Sequence, residues 1–561
     1  MKKLTKLLIA ASSSALLLAP MAFAAQGTGQ PDRVDVIVGY HAKPNAGQRD
    51  HIRGIGGEVR REFQNFNMRV VSLPEHAVEN MRRSNGVEFV VLDEPIETFS
   101  ASARATARAT SVDHAMKYMN AYGIGVAVID SGVTTHPDLN VQTRVDCRAE
   151  STSLSTSNVK LAPVAETTTS CTTEYAWSVD TAETFDPFGH GTHVAGVIGG
   201  DGEESDEDDP YYGIAPRAAI HSLRVFDEEG RGVASDAIGA LDWVLSHGTS
   251  NGIRVVNMSL GKAIEESNTT DPLVLAVEAV WDAGFVVVVS AGNHGRDGNF
   301  TITSPGNSRK VITVGSLTDS GTGNNFDDDY VSTFSSRGPT LGDHVLKPDL
   351  VAPGNRYIAA IPESSMLMEL LPERVPDCDD CEASYLELSG TSMAAGAVSA
   401  TAALMLAHDS TLTPATVKAR LMRSARKIGE DPTASGAGVL DVNAALLETG
   451  TVSGQALSPL MARHDTESAV LLEDTAKLWG DETWSAGFLW TDGFLWTDGF
   501  LWTDGFLWTD GFLWTDGFLW TDGFLWTDGF LWTDGFLWTD AVTGFLPLYS
   551  ISNQTVDLDD D

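Results

Sequence analysis

Residues 388–396 read Leu-Ser-Gly-Thr-Ser-Met-Ala-Ala-Gly, and small and apolar residues continue to Leu406. The stretch reads as a tight turn at Gly390 feeding the start of a buried helix. Glycine supplies the turn, and Ala, Ser and Gly let neighbouring backbone pack close. A serine at such a start faces N–H groups without intrahelical acceptors and the positive end of the helix dipole. That place favours negative charge on an oxygen. A plain N-cap serine on a core helix fits the same residues, so three other stretches have to be read with this one.

The first is Ile124-Gly125-Val126-Ala127-Val128-Ile129, which ends in Asp130-Ser131-Gly132. A short, nearly uninterrupted apolar run suits a strand buried on both faces of a parallel sheet. Asp130 then stands at the carboxyl end of a strand, where ligands of open α/β sheets gather; a turn aspartate is the plainer reading. The second is Phe188-Gly189-His190-Gly191-Thr192-His193-Val194-Ala195-Gly196. His190 and His193 could share a helix face, which raises a metal site. No carboxylate lies between them, so His190 reads better as a general base and His193 as a structural histidine. The third is Val286-Val287-Val288-Val289-Ser290-Ala291-Gly292-Asn293, another buried strand, ending in an amide. An asparagine there is either a turn residue or a neutral donor suited to a developing oxyanion.

The chain order Asp130, His190, Ser392, with Asn293 between the last two, resembles the subtilisin-like serine peptidases. The resemblance covers about 122–447. Val255-Val256-Asn257-Met258-Ser259-Leu260-Gly261 resembles the family's substrate-lining strand. Phe334-Ser335-Ser336-Arg337-Gly338-Pro339, Lys347-Pro348-Asp349-Leu350-Val351-Ala352-Pro353-Gly354 and Gly436-Ala437-Gly438-Val439-Leu440-Asp441-Val442 resemble further family segments. What the resemblance implies is an α/β fold: a three-layer α/β/α domain over 116–450 with a mostly parallel sheet. It implies a triad of Asp130, His190 and Ser392, an oxyanion donor in Asn293, and substrate lining by Ser259, Leu260, Gly261, Ser290, Ala291 and Gly292. The activity implied is hydrolysis of peptide bonds in proteins and peptides. No cofactor is implied for catalysis. Asp138 matches a calcium ligand of the family, and the acidic loop 201–210 lies where relatives carry a calcium loop, so a structural calcium ion is an expectation. A solvated acidic loop is the plainer alternative.

The family's usual proline four residues after the nucleophile is replaced here by Gly396. Proline suits the first turn of a helix. Glycine there is expected to loosen the turn and slightly widen the space near Ser392, with activity retained and its efficiency altered. A sedolisin-like relative is disfavoured because the His190 motif is present.

The segment before the catalytic stretches also has a pattern. Val34–Val38, Met68–Leu73 and Glu88–Leu92 alternate like strands, and 74–83 reads as a short helix. Residues 25–100 are therefore expected to form a small α+β domain, which resembles the family's inhibitory propeptide, the enzyme's own intramolecular inhibitor. Residues 101–115, rich in Ala, Thr, Ser and Arg, read as a linker and processing zone. Before all of this, Lys2-Lys3, an apolar run over 7–18 and Ala22-Phe23-Ala24 have the form of a secretory signal peptide over 1–24. The expectation is a secreted protein, extracellular or at the cell surface, with no transmembrane segment.

The formal net charge is −40. Such a chain is repelled by nucleic acid and anionic membranes, so nucleic acid is not an expected partner. Four cysteines, Cys147, Cys171, Cys378 and Cys381, allow three disulfide pairings. Cys147–Cys171 with Cys378–Cys381 is favoured because each closes a local loop. A Cys₄ zinc site needs two close pairs, and only one exists. Acids around Cys378 and Cys381 would discourage a reactive thiolate.

The tail, 451–561, holds the hexapeptide Gly-Phe-Leu-Trp-Thr-Asp nine times over 487–540. Asp-Gly is a hairpin signal, a six-residue period suits a solenoid, and identical repeats cannot fix their own register. An exposed aromatic surface there could contact a cell surface or polymer. A surface binding protein acting mainly through this Trp-rich tail is the alternative to the peptidase reading.

Overall fold

The computed structural model describes residues 33–98, 121–148, 171–173, 185–205, 211–320, 326, 328–378, 381, 383–428, 430–463, 469–472 and 546–547. The expected signal peptide, linker and hexapeptide repeats lie outside these residues, as do positions 206–210 of the acidic loop.

Residues 33–92 form a four-stranded antiparallel sheet, in the order Glu58–Glu62, Met68–Pro74, Arg33–Tyr40, Val87–Leu92. Side chains alternate between the faces of a strand. On one face Val36, Val38, Tyr40, Val71 and Leu73 pack with Ile52 of the helix Ala46–Gly54 and Met81 of the helix Val78–Arg82. On the other face Ile37, Met68 and Val70, with Phe63 and Phe66, join the core of the rest of the molecule. Both faces are covered, which is why Met68–Pro74 is buried along its whole length.

The larger unit is built on a nine-stranded sheet. Seven strands run parallel; Tyr330–Val331 and Thr172–Thr173 pair antiparallel at its margins. The central order is Ile312–Thr318, Val286–Ser290, Ile253–Met258, Gly125–Asp130, Ala219–Arg224, Val141–Asp146. Chain order reverses at Gly125–Asp130. The next two strands of this series lie on one side of it and the later ones on the other. In open α/β sheets the crevice at the carboxyl ends beside such a reversal is the place for a site, and Asp130 occupies it.

Helices cover the sheet in the expected three-layer α/β/α arrangement. His190–Gly199 packs with Thr391–His408, and Ala234–His247 packs with Pro272–Asp282. Residues 391–406 are all buried. A helix apolar and small all round belongs in a core. By length and composition alone this helix could cross a membrane, but 89% of it is buried inside the protein. Both local disulfides, Cys147–Cys171 and Cys378–Cys381, are present.

The packed chain runs past position 450. Arg309 Nε donates to the Ser458 carbonyl at 2.9 Å, and Ser458 N donates to the Arg309 carbonyl at 2.8 Å. The Ser458 hydroxyl donates to Asp349 Oδ1 at 2.6 Å inside a fully buried cluster. There Lys347 Nζ and Lys418 Nζ lie 2.6 and 3.1 Å from the same carboxylate. Two ammonium groups share one carboxylate, so one buried positive charge is uncompensated. Burial pushes Lys418 down to about 7 against the pull of Asp349.

The sign of the consequence follows. The unfolded chain holds the Lys418 proton to about pH 10.5, whereas the folded one releases it near 7. The penalty for a buried charge is therefore full below pH 7 and is relieved as pH rises toward 10.5. Thermal unfolding of wild type is expected to shift upward between pH 7 and 9.5, and Lys418→Met should lose that rise. Parallel pH profiles of the two proteins would contradict the assignment.

Candidate active site

Asp130 ends its strand and His190 begins a helix. Asp130 Oδ1 lies 2.7 Å from His190 Nδ1, and both side chains are fully buried. The carboxylate accepts from the ring, so Nδ1 carries the proton and Nε2 presents its lone pair. Nε2 is buried without a hydrogen-bond partner. Ser131 N also donates to Asp130 Oδ1, at 2.7 Å.

The helix start is held by a second carboxylate. Asp186 accepts from Gly189 N, Thr192 N, Thr192 Oγ1 and Ser131 Oγ at 2.8, 2.8, 2.6 and 2.8 Å. Gly191 N in turn donates to Ser131 Oγ at 2.9 Å. Burial pushes the Asp186 carboxyl up, and these donors oppose the rise. Asp186 thus caps the histidine helix and ties it to the residue beside Asp130. The sequence reading did not single it out. Its signal is an acid just ahead of a helix start.

Ser392 is the second residue of its helix, and Gly390 holds the cap position. The N-cap reading of the serine is therefore corrected: Gly390 is the cap, and Ser392 Oγ lies 3.4 Å from the Ser259 carbonyl oxygen. The serine helix crosses the histidine helix at Gly396, where a Cβ would come within 3.2 Å of Val197 Cγ1 and 3.6 Å of the Val194 carbonyl. One turn earlier in the two helices stand Ser392 and His190. Gly396 is the sixth helical residue, so it lies in the second turn, not the first; its small size serves the helix crossing.

Asn293 sits against the same helix start. Its Oδ1 accepts from Thr391 N and Thr391 Oγ1 at 3.1 and 3.0 Å. A backbone N–H can only donate, so the amide orientation is fixed by Thr391. Nδ2 is left buried and without a partner. Thr391, which sequence reasoning did not assign, thus aims the amide donor. Gly292 N closes the arrangement on Thr391 Oγ1 at 3.3 Å. Gly292 has φ +105°, and a Cβ there would lie 2.8 Å from Ser336 Oγ. Ser290 ends its strand and Ala291 N is bonded to the Val314 carbonyl, which anchors the chain leading into Asn293.

Ser259 bonds to the start of the serine helix, and Leu260–Gly261 is a short strand. Ser259 Oγ accepts from Asn257 Nδ2 and donates to the Ser392 carbonyl, both at 3.0 Å. Leu260–Gly261 pairs antiparallel with Pro95–Thr98, Leu260 opposite Thr98 and Gly261 opposite Glu97. The other edge of Pro95–Thr98 pairs with Arg231–Val233. An extended segment of the chain itself therefore lies as the middle strand of a three-stranded sheet.

His193 stands apart from this chemistry. Its Nε2–H donates to the Leu386 and Tyr357 carbonyls at 2.9 and 3.2 Å, and burial pushes its pKa to about 3. Asp138 accepts from Tyr385 Oη at 2.6 Å and from Glu204 N at 3.1 Å. The described residues offer no group of three or more His, Cys, Asp or Glu able to hold a metal ion.

The subtilase family model matches residues 121–442. The chain belongs to the subtilase family. Serine protease AprX of Bacillus subtilis is 34% identical over 363 residues, 64% of this chain and 74% of that protein. Subtilisin E of Bacillus subtilis is 28% identical over 453 residues, 78% of this chain and 98% of that one. Among solved structures, fervidolysin of Fervidobacterium pennivorans superposes with a TM-score of 0.54 at 21% identity, covering 76% of this chain and 62% of that one. That likeness supports the fold. This subtilase is a subtilisin-like serine peptidase, and its family needs no cofactor for catalysis.

Removing an oxyanion donor lowers turnover by about 10²–10³, a range obtained on subtilisin itself. Asn293→Ala should fall in it. Thr391→Val keeps the amide but removes a hydroxyl that aims it, so a loss of about tenfold in kcat with KM little changed is expected. Steady-state kinetics on a chromogenic peptide would read both. An unchanged kcat in Thr391→Val would show that the hydroxyl does not orient Asn293.

Proposed function

We propose that this subtilase is a secreted, self-processing endopeptidase that works through Asp130, His190, Ser392 and Asn293. The observation that carries the reading is the buried His190–Asp130 pair, whose Nε2 is open, one helix crossing away from Ser392. A serine hydroxyl is a weak nucleophile and needs a base. As Ser392 Oγ attacks the peptide carbonyl carbon, its proton passes to His190 Nε2. Asp130 stabilises the imidazolium. The carbonyl oxygen becomes an anion between Asn293 Nδ2 and the Ser392 backbone N–H. Collapse breaks the C–N bond, and the leaving amine takes the proton from His190. Water then attacks the acyl-enzyme with His190 again as base, which returns Ser392 and releases the acid.

Residues 25–100 are read as the inhibitory propeptide. Support comes from Pro95–Thr98, which pairs with Leu260–Gly261 as a substrate strand would, and from the shared core of 33–92 with the peptidase. Secretion is supported by the N-terminal Lys2-Lys3, apolar run and Ala22-Phe23-Ala24. Two disulfides suit an oxidising compartment. A 36% identical relative over 236 residues is an extracellular serine proteinase of Thermus.

The fate of the precursor tests this. Wild type and Ser392→Ala are expressed as the full chain and followed by mass. Wild type is expected to lose its first hundred or so residues. Ser392→Ala is expected to keep them. Identical trimming of the two proteins would overturn self-processing.

A further inference from the structure

Arg61 lies in Glu58–Glu62, the edge strand of the small sheet. The pairing register shifts between Val59 and Arg61, and a bulge of this kind re-aims a side chain. Here the guanidinium is carried out of its own domain into a notch on the peptidase. Its side chain is 8% exposed. Nη1 donates to the Ser235 carbonyl at 2.6 Å. Nη2 donates to the Cys147 carbonyl at 2.8 Å and to Asp236 Oδ1 at 2.9 Å. The floor is Gly239, where a Cβ would lie 2.5 Å from Nη1. Cys171, joined to Cys147, packs its sulfur 3.3 Å from the Gly239 carbonyl.

The notch has the chemistry of an arginine site. Two carbonyls and one carboxylate, held around a single planar group, match a fork of fixed donors. A lysine ammonium is a point charge on a flexible stem and would not span them. The groups around it, Cys147, Ser235 and Asp236, are buried too. Phe63 and Phe66 are buried beside Arg61 in sequence with ring centroids 6.1 Å apart. Asp242, on the same helix as Asp236, accepts from Gln64 N and Asn65 N at 2.7 and 2.6 Å. A buried arginine with satisfied polar contacts across an interface is the form of an interface hot spot.

We propose that this notch is an arginine-reading docking site, and that Arg61 is the latch that keeps the cleaved propeptide on the peptidase. The proposal rests on the propeptide reading above and adds the residue that sets how long the inhibitor stays. Once the chain is cut, only noncovalent contacts hold residues 33–98. Removing Arg61 would take from the buried Asp236 carboxylate the guanidinium that bonds to it. Any side chain at Gly239 would push the guanidinium out of the notch while leaving the triad untouched.

The test uses the full chain carrying no change, Arg61→Ala, Arg61→Lys, Gly239→Ala, or Arg61→Ala with Gly239→Ala. After self-cleavage, hydrolysis of a small chromogenic peptide is followed together with the mass of any fragment that co-elutes with the enzyme. The expected result is release about thirtyfold faster in each single variant, with the same final rate per mole of enzyme. The double variant should release no faster than Arg61→Ala, because the notch then has no occupant. Where a single variant folds poorly, yield is read the same way: Gly239→Ala should add nothing to the loss caused by Arg61→Ala. If wild type is never cut, the propeptide reading falls and the latch with it. If it is cut and the variants hold the fragment as long as wild type does, or if the two changes simply add, the propeptide reading stands and the latch is overturned.

Discussion

Gly191 approaches Gly132 so closely that a Cβ on Gly191 would lie 2.1 Å from the Gly132 carbonyl oxygen. This contact joins the turn after the central strand to the start of the histidine helix. Gly189 enters that helix at φ +100°, a conformation that favours glycine. With the two backbones in contact, Asp130 reaches His190, Ser131 reaches Gly191, and Asp186 caps the helix. A residue with a side chain at 191 would separate all three. On the other side of the cleft the Asn293 amide is fixed by Thr391. Donors and acceptors set before substrate arrives need no reorganisation during reaction, and the fold supplies this by close backbone contact rather than by long side chains.

The small sheet of residues 33–92 meets a related constraint. Its inner strands, Arg33–Tyr40 and Met68–Pro74, carry apolar side chains on both faces, which alone would leave a hydrophobic surface in water. One face takes its own two helices, and the other takes the peptidase. The docked arrangement also carries Pro95–Thr98 into the cleft between Leu260–Gly261 and Arg231–Val233. Folding of the small domain and occupation of the cleft are thus parts of one interface. Polar contacts define its geometry: Asp93 accepts from Ser235 N at 2.9 Å, and Lys262 Nζ lies 2.6 Å from Glu94.

The parallel sheet was legible because 124–129 and 286–289 are uninterrupted apolar runs, a pattern that only burial on both faces explains. Asp130, His190 and Asn293 were legible because each follows such a run or a glycine that marks a turn. Other features depend on partners distant in sequence. Glu58–Glu62 is a polar edge strand, so no alternation reveals it. Pro95–Thr98 contains proline and four residues, and it is a strand only because two segments more than a hundred residues away flank it. Thr391 gains its role from Asn293, and Asp186 ties its helix start to Ser131, both partners distant in sequence. The turn in which Gly396 lies depended on where its helix begins, and helix ends are the least certain part of any sequence reading. The described residues at Asp138 give its carboxylate to Tyr385 and Glu204, a pairing that spacing alone could not disclose.

The central claim is that Ser392 is a nucleophile activated by His190. The most direct measurement is active-site titration of the processed enzyme with a fluorophosphonate, read by peptide mass. The account predicts one adduct per molecule, on the peptide containing Ser392, and no adduct in His190→Ala, whose Ser392 is intact but lacks a base. Labelling of His190→Ala at the wild-type rate, or an adduct on a different serine, would contradict it.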